Sequence, residues 1–205
     1  DIIDIVKKSS IKTVGTAIRT EGKQGIRHKT SLDKVLLTAD NSYGLRFTEY
    51  GTLAIKTEYL GKNELFLDGK YLTDGKEYFA NKGVAYSFKD NIDKIYSENI
   101  ETIDFTGVLM NIAKNNWNSN YTARAYFKYV DSNGNEDVIY LDQSNIAVYP
   151  ISKAVYSAKD ASGNYIETPK VREYIYNKII SKFTDKVINI KNNECEINSN
   201  IKKLD

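Results

Sequence analysis

Gly25-Ile26-Arg27-His28-Lys29-Thr30-Ser31-Leu32 is the stretch from which the fold reads. Alternation puts Ile26, His28, Thr30 and Leu32 on one face and Gly25, Arg27 and Ser31 on the other, the period-two pattern of a strand. Just upstream, Ile11 to Arg19 alternates in the same way, and Glu21-Gly22-Lys23 lies between the two runs as a turn. Together they predict a hairpin with a glycine-containing loop. The stretch has echoes in Gly15-Thr16-Ala17-Ile18-Arg19, in Tyr43-Gly44-Leu45-Arg46-Phe47 and in Thr122 to Tyr129, each a strand-like run holding one arginine.

Arginine is scarce here. Only Arg19, Arg27, Arg46, Arg124 and Arg172 occur, and lysine is the ordinary cation. A planar guanidinium can hold several hydrogen bonds while partly dry, which suits an arginine inside an apolar strand. The run Gly44 to Ile55 reads as a long strand, interrupted at Gly51 by a bulge or a close backbone approach. Read as continuous alternation, it puts Leu45, Phe47 and Glu49 on one face, continued by Leu53 and Ile55. An acid among apolar neighbours needs a partner. The expected structural ion pairs therefore join Arg27 or Arg124 to Glu49 or a neighbouring acid.

Further strands are predicted at Val84 to Phe88, Ile100 to Ile112 and Ile146 to Tyr149, with edge strands and loop across 61–80. Tyr121 to Val130 and Val138 to Leu141 form the clearest hairpin, because Asn133-Gly134 is a favoured tight-turn pair. Thr168-Pro169 opens a helix with threonine as cap and proline at the first helical position, and Val171, Ile175 and Ile179 recur on one face. A short helix is also expected near 151–158 and a last strand at Val187 to Ile190. Many short strands with late helices predict a mainly β chain: an antiparallel β-sandwich, immunoglobulin-like or jelly-roll-like, with one or two helices near the C-terminus. The expected organisation is a polar lead-in over 1–10, a sandwich domain over 11–158, a helical extension packed on it over 159–192, and a tail or linker over 193–205.

A chain of 205 residues with 41% apolar content can bury a core without staples. The net charge of +2 is too small to argue for nucleic acid, and no apolar run approaches the length of a membrane span. A single cysteine, Cys195, rules out an internal disulfide. Asp1 in first place points to a processed or trimmed chain. The 16 tyrosines suit strands and recognition surfaces, although Tyr, Ile, Lys and Asn together are also what an AT-rich genome supplies.

Gly15 to Arg19, Gly25 to Leu32, Glu49-Tyr50-Gly51-Thr52-Leu53, Phe105-Thr106-Gly107-Val108-Leu109 and Thr122 to Tyr129 occur in one consistent order. Over roughly 11–158 this set resembles a β-rich accessory module of large secreted or cell-wall-attached proteins of Gram-positive anaerobes, clostridia and their relatives. The resemblance implies an extracellular, non-catalytic structural or adhesive module that sits among neighbouring domains of a larger chain. It brings no ligand and no binding residues.

The residues themselves offer little catalysis. His28, the only histidine, shares a face with Ile26 and Leu32 and reads as packed or surface histidine. Cys195 sits in a polar tail with no cause for a lowered pKa. No phosphate-binding glycine loop, nucleophile elbow or histidine-rich metal motif occurs, so no cofactor is expected. Glu49, Glu101 and Asp104 lie in or beside strands and read as ion-paired acids rather than a glycosidase pair. Asp131, Asn133, Asn135 and Asp137 alternate oxygen ligands as calcium loops do, but the tight turn accounts for the same residues and is preferred. The candidate ligand site is Trp117 with Asn116, Asn118 and Tyr121: an aromatic face for a sugar ring and amides for its hydroxyls. The alternative is an indole that plugs the end of the core. The leading expectation is thus a structural or adhesive module of a bacterial surface, with a glycan or a host or cell-surface protein as partner. A carbohydrate-binding module is the alternative.

Overall fold

A computed structural model of the chain describes residues 1–19, 25–87, 99–110, 119–147, 156–178 and 180–182. Within them the protein is mainly β, its sheets are antiparallel, and a short helix lies near the C-terminus.

The expected hairpin is present as β1 (Ile11–Arg19) and β2 (Gly25–Asp33). β2 pairs on its other side with β7 (Thr102–Met110), giving a sheet of order β1-β2-β7. The second sheet is built on β3 (Leu45–Lys56) and β8 (Asn120–Asp131). β6 (Asn81–Ser87) flanks β3, while β9 (Glu136–Tyr140) and β10 (Ser144–Ala147) follow one another along the free edge of β8. One buried cluster takes side chains from both sheets: Ile11, Leu32, Ile103 and Phe105 from the first, Phe47, Tyr50, Phe127 and Ile139 from the second. Tyr50, Phe105 and Phe127 meet ring to ring there, with centroids 5.1 to 6.4 Å apart.

Residues 1–10 are not a lead-in. Ile2–Ser9 form a helix, α1, whose N-cap Asp1 accepts a hydrogen bond from the Ile3 amide at 2.9 Å. Val6 is fully buried in the shared cluster, and Ser10 bonds the Tyr43 hydroxyl at 2.9 Å. Apolar residues at 2, 3, 5 and 6 make one helical face, which a short polar run conceals from a strand-seeking reading.

β3 corrects a second expectation. Its pairing with β8 slips between Phe47 and Glu49, so an extra residue enters at Thr48. Leu45, Phe47 and Tyr50 then face the shared core, whereas Leu53 and Ile55 join a separate cluster with Tyr126, Leu60, Leu65 and Tyr71. That second cluster is covered by one helical turn, α2 (Thr57–Leu60), and by the two-stranded β4 (Lys70–Thr73) and β5 (Lys76–Phe79). The break expected at Gly51 is real: the β3–β6 register shifts there, and a Cβ on Gly51 would stand 2.1 Å from the Gly83 carbonyl oxygen.

The helix after Thr168 runs Pro169–Lys178 (α3), with the Thr168 hydroxyl accepting from the Val171 amide at 3.4 Å and Ile175 fully buried. Residues 151–155, 183–190 and 193–205, on which a helix, a strand and a tail were expected, lie outside the described residues.

Candidate functional site

The aromatic core fills one part of the space between the sheets. Elsewhere the facing positions are small. Cross-strand neighbours point to the same side of a sheet, and the register places Gly107 opposite His28, Gly83 opposite Thr52 and Ala123 opposite Ala54. These pairs leave a cleft of about 100 Å³ lined by His28, Thr52, Gly83, Tyr121, Ala123 and Ile146, with Ala54, Asn81, Lys82 and Gly107 completing it. The sheets come close at one point, where a Cβ on Gly107 would lie 2.5 Å from the Thr52 Cβ. At Gly83 there is room: an added Cβ meets only the Thr52 carbonyl oxygen, at 4.0 Å.

His28 is 2% exposed, and its Nδ1 and Nε2 both lack a hydrogen-bond partner among the described residues. The buried hydroxyls of Thr30 and Thr52 lack one as well. A buried polar group without a partner destabilises by about 1–3 kcal/mol, so these atoms call for solvent or a ligand. Burial pulls the His28 pKa down to about 4, so the ring is neutral at ordinary pH, with one nitrogen donating and the other accepting. Tyr121 contributes a ring that is 6% exposed; burial, then the neighbouring Tyr59 and Glu58, push its pKa up to about 12. Lys82 borders the cleft, but its ammonium lies 3.1 Å from Glu49 Oε1 and over the Tyr126 ring, on the other side of the sheet.

The predicted ion pairs are rearranged. Glu49 bonds Lys82 and the Tyr126 hydroxyl, the latter at 2.9 Å. Burial raises its pKa, but these two partners outweigh burial and hold it below the usual carboxylate range. Arg124 is not its partner. Arg124 is buried, donating to the carbonyls of Leu141 at 2.7 Å and Leu65 at 3.0 Å and stacking on Tyr140, with the Glu64 carboxylate a distant 3.9 Å away. The bulge at Thr48 carries Glu49 to the outer face, which Tyr126 and Arg124 share, but Glu49 lies opposite Lys128 and Arg124 opposite Leu53, four residues along the strands. Arg27 falls between His28 and Ile26 in β2, so it shares the outward face with Lys29, which pairs with Asp104 at 3.5 Å. Glu101 pairs with Lys34 at 3.1 Å.

The Asp131 loop is closed by its own amides. Asp131 Oδ1 accepts from the Asn133 and Asn135 amides, Oδ2 from the Asn135 side chain, and Gly134 takes a φ of +83°. The Asn135 amide first, and then the other loop donors, lower the Asp131 pKa. Asp137 Oδ1 accepts from the Val138 amide. Asp160-Ala161-Ser162-Gly163-Asn164 repeats the device, with Asp160 Oδ1 accepting from the Ser162 and Asn164 amides. No group of three or more metal-ligating side chains occurs among the described residues.

Of the expected ligand platform, Trp117, Asn116 and Asn118 lie outside the described residues, and Tyr121 lines the cleft as a buried wall. His28, read from the sequence as a packed or surface histidine, is packed, and its lack of partners needed the opposite sheet. No described helix is long and apolar enough to cross a membrane. No family model, curated protein or solved structure matches the chain.

Proposed function

We propose that the chain is a non-catalytic, adhesive β-module of an extracellular protein, and that it works by binding at the His28 cleft. The unpaired imidazole at the floor of that cleft carries the reading. A general-base histidine is normally held by a carboxylate that fixes its tautomer, and among the described residues no acid lines this cleft. A neutral donor–acceptor ring beside the Thr52 hydroxyl suits recognition better than proton transfer. The extracellular setting rests on the resemblance to modules of secreted and wall-attached proteins. The neighbouring acids support a structural use of charge, since Glu49, Glu101 and Asp104 each hold a lysine.

The test is retention of the labelled chain on arrays of glycans and of cell-surface proteins, beside a screen for glycoside and ester hydrolysis. Retention without turnover is expected. Silence on both arrays would refute adhesion, and hydrolysis that disappears in His28→Gln would refute the non-catalytic assignment.

A further inference from the structure

We infer that the cleft takes the hydroxyl-bearing edge of one neutral sugar ring; this rests on the binding role proposed above. Three observations select that chemistry. First, the floor is polar but uncharged. His28 is neutral and the Thr52 hydroxyl is unpaired. The one ammonium bordering the cleft, on Lys82, is engaged by Glu49. An anionic or cationic ligand would be buried there without a counter-charge, which is strongly unfavourable.

Second, the floor asks for groups that donate and accept together. The imidazole does one at each nitrogen, and the Thr52 hydroxyl does both. An alcohol answers in kind. A hydrocarbon would leave both imidazole nitrogens and the Thr52 hydroxyl unpaired. Third, the walls are Ala54, Ala123, Ile146 and the Tyr121 ring, which suit the C–H faces of a pyranose. Size then limits the occupant. About 100 Å³ is the liquid volume of about three waters, enough for two or three hydroxyls and the carbons bearing them. The remainder of a glycan would extend outside.

The single histidine makes the test direct, because every imidazole NMR signal of the chain belongs to His28. Methyl glycosides of glucose, galactose, mannose and N-acetylglucosamine are titrated into the protein, with glucuronate, cyclohexane and N-acetyl-threonine methylamide in parallel arms. At least one neutral pyranoside should move the ring signals saturably. Gly83→Val, which fills the open side of the cleft, should weaken that response on the order of tenfold. Gly83→Ala, with a single methyl group, provides a milder version should valine disturb the edge strand, and a thermal melt reports folding for both. A ring silent to all four pyranosides, an equal or stronger response to glucuronate, cyclohexane or the threonine amide, or a response unchanged in a folded Gly83 variant would each overturn the inference. Retention on an array with a silent ring would remove this site and ligand class while leaving adhesion standing. Silence in both experiments would remove both.

Discussion

Acidification should destabilise this protein through one residue, His28. An ordinary histidine titrates near 6.5, whereas burial holds this ring near 4. The folded pKa lies below the unfolded one, so the unfolded chain binds the extra proton first. The neutral ring's stability is fully present above about pH 6.5 and is lost as pH falls towards 4. At about pH 5 an unfolded imidazole is almost fully protonated and the folded one only about a tenth, and integrating that difference gives a loss of about 2 kcal/mol, tending to about 3 kcal/mol below pH 4. The groups around the ring do not interfere, because Tyr121 stays protonated throughout and Lys82 is held 3.1 Å from Glu49 on the other face. Glu49 and Asp131, with lowered pKa values, add their own losses in a more acidic range. Urea melts at about pH 8 and pH 5 measure the change, and His28→Gln provides the reference, since a glutamine fills similar space and does not titrate. The wild type should lose about 2 kcal/mol more than the variant between the two conditions. An NMR titration of the ring should place its midpoint near 4. Equal pH dependence in the two proteins, or a midpoint near 6.5, would show a solvated imidazole and refute the description of the cleft.

Two other perturbations probe the frame. Arg124→Met keeps the apolar stem but strips hydrogen bonds from the Leu141 and Leu65 carbonyls, and urea melts should show a loss of about 2–4 kcal/mol. Glu64→Ala, at an exposed and distant carboxylate, should change stability by no more than about 0.5 kcal/mol. Gly51→Ala drives a methyl group into the Gly83 carbonyl and should cost more than about 2 kcal/mol, whereas Gly83→Ala should stay within about 1 kcal/mol of wild type; equal melting temperatures for the two would contradict the close approach of β3 and β6.

What was legible in the sequence is what neighbouring residues decide. Alternation over Ile11 to Arg19 and Gly25 to Leu32 specifies a hairpin, and the hairpin is there. Asn133-Gly134 specifies a turn because glycine alone adopts φ of +83° without strain, and β8 and β9 flank it. The glycine within β3 was readable as a break for a similar reason. The side chain facing of β3 was not. Leu45-Arg46-Phe47-Thr48-Glu49 looks like unbroken alternation, and only the partner strand, where Tyr129 and Lys128 are consecutive, reveals the inserted residue. One unseen bulge moved Glu49, Leu53 and Ile55 to the face opposite Leu45 and Phe47, and the expected Arg124–Glu49 pair fails because the two lie four residues apart along the paired strands.

The cleft escaped for a different reason. A cleft made of absent side chains leaves no hydropathy signal: Gly83, Gly107, Ala54 and Ala123 are unremarkable on four separate strands, and only the pairing register brings them together around His28 and Thr52. Packing alone does not explain the combination. If the residues served only to close the core, a larger aliphatic at position 83 would fill the space without a clash, as the open ground beside Gly83 shows. It would, however, seal the imidazole and the Thr52 hydroxyl away from any partner. A polar floor and small walls are consistent with each other only when something polar enters. On the proposed binding role, Gly83 and His28 act together: filling the first or replacing the second should remove the same binding, while the aromatic core around Phe105 and Phe127 holds the sheets in place in both variants.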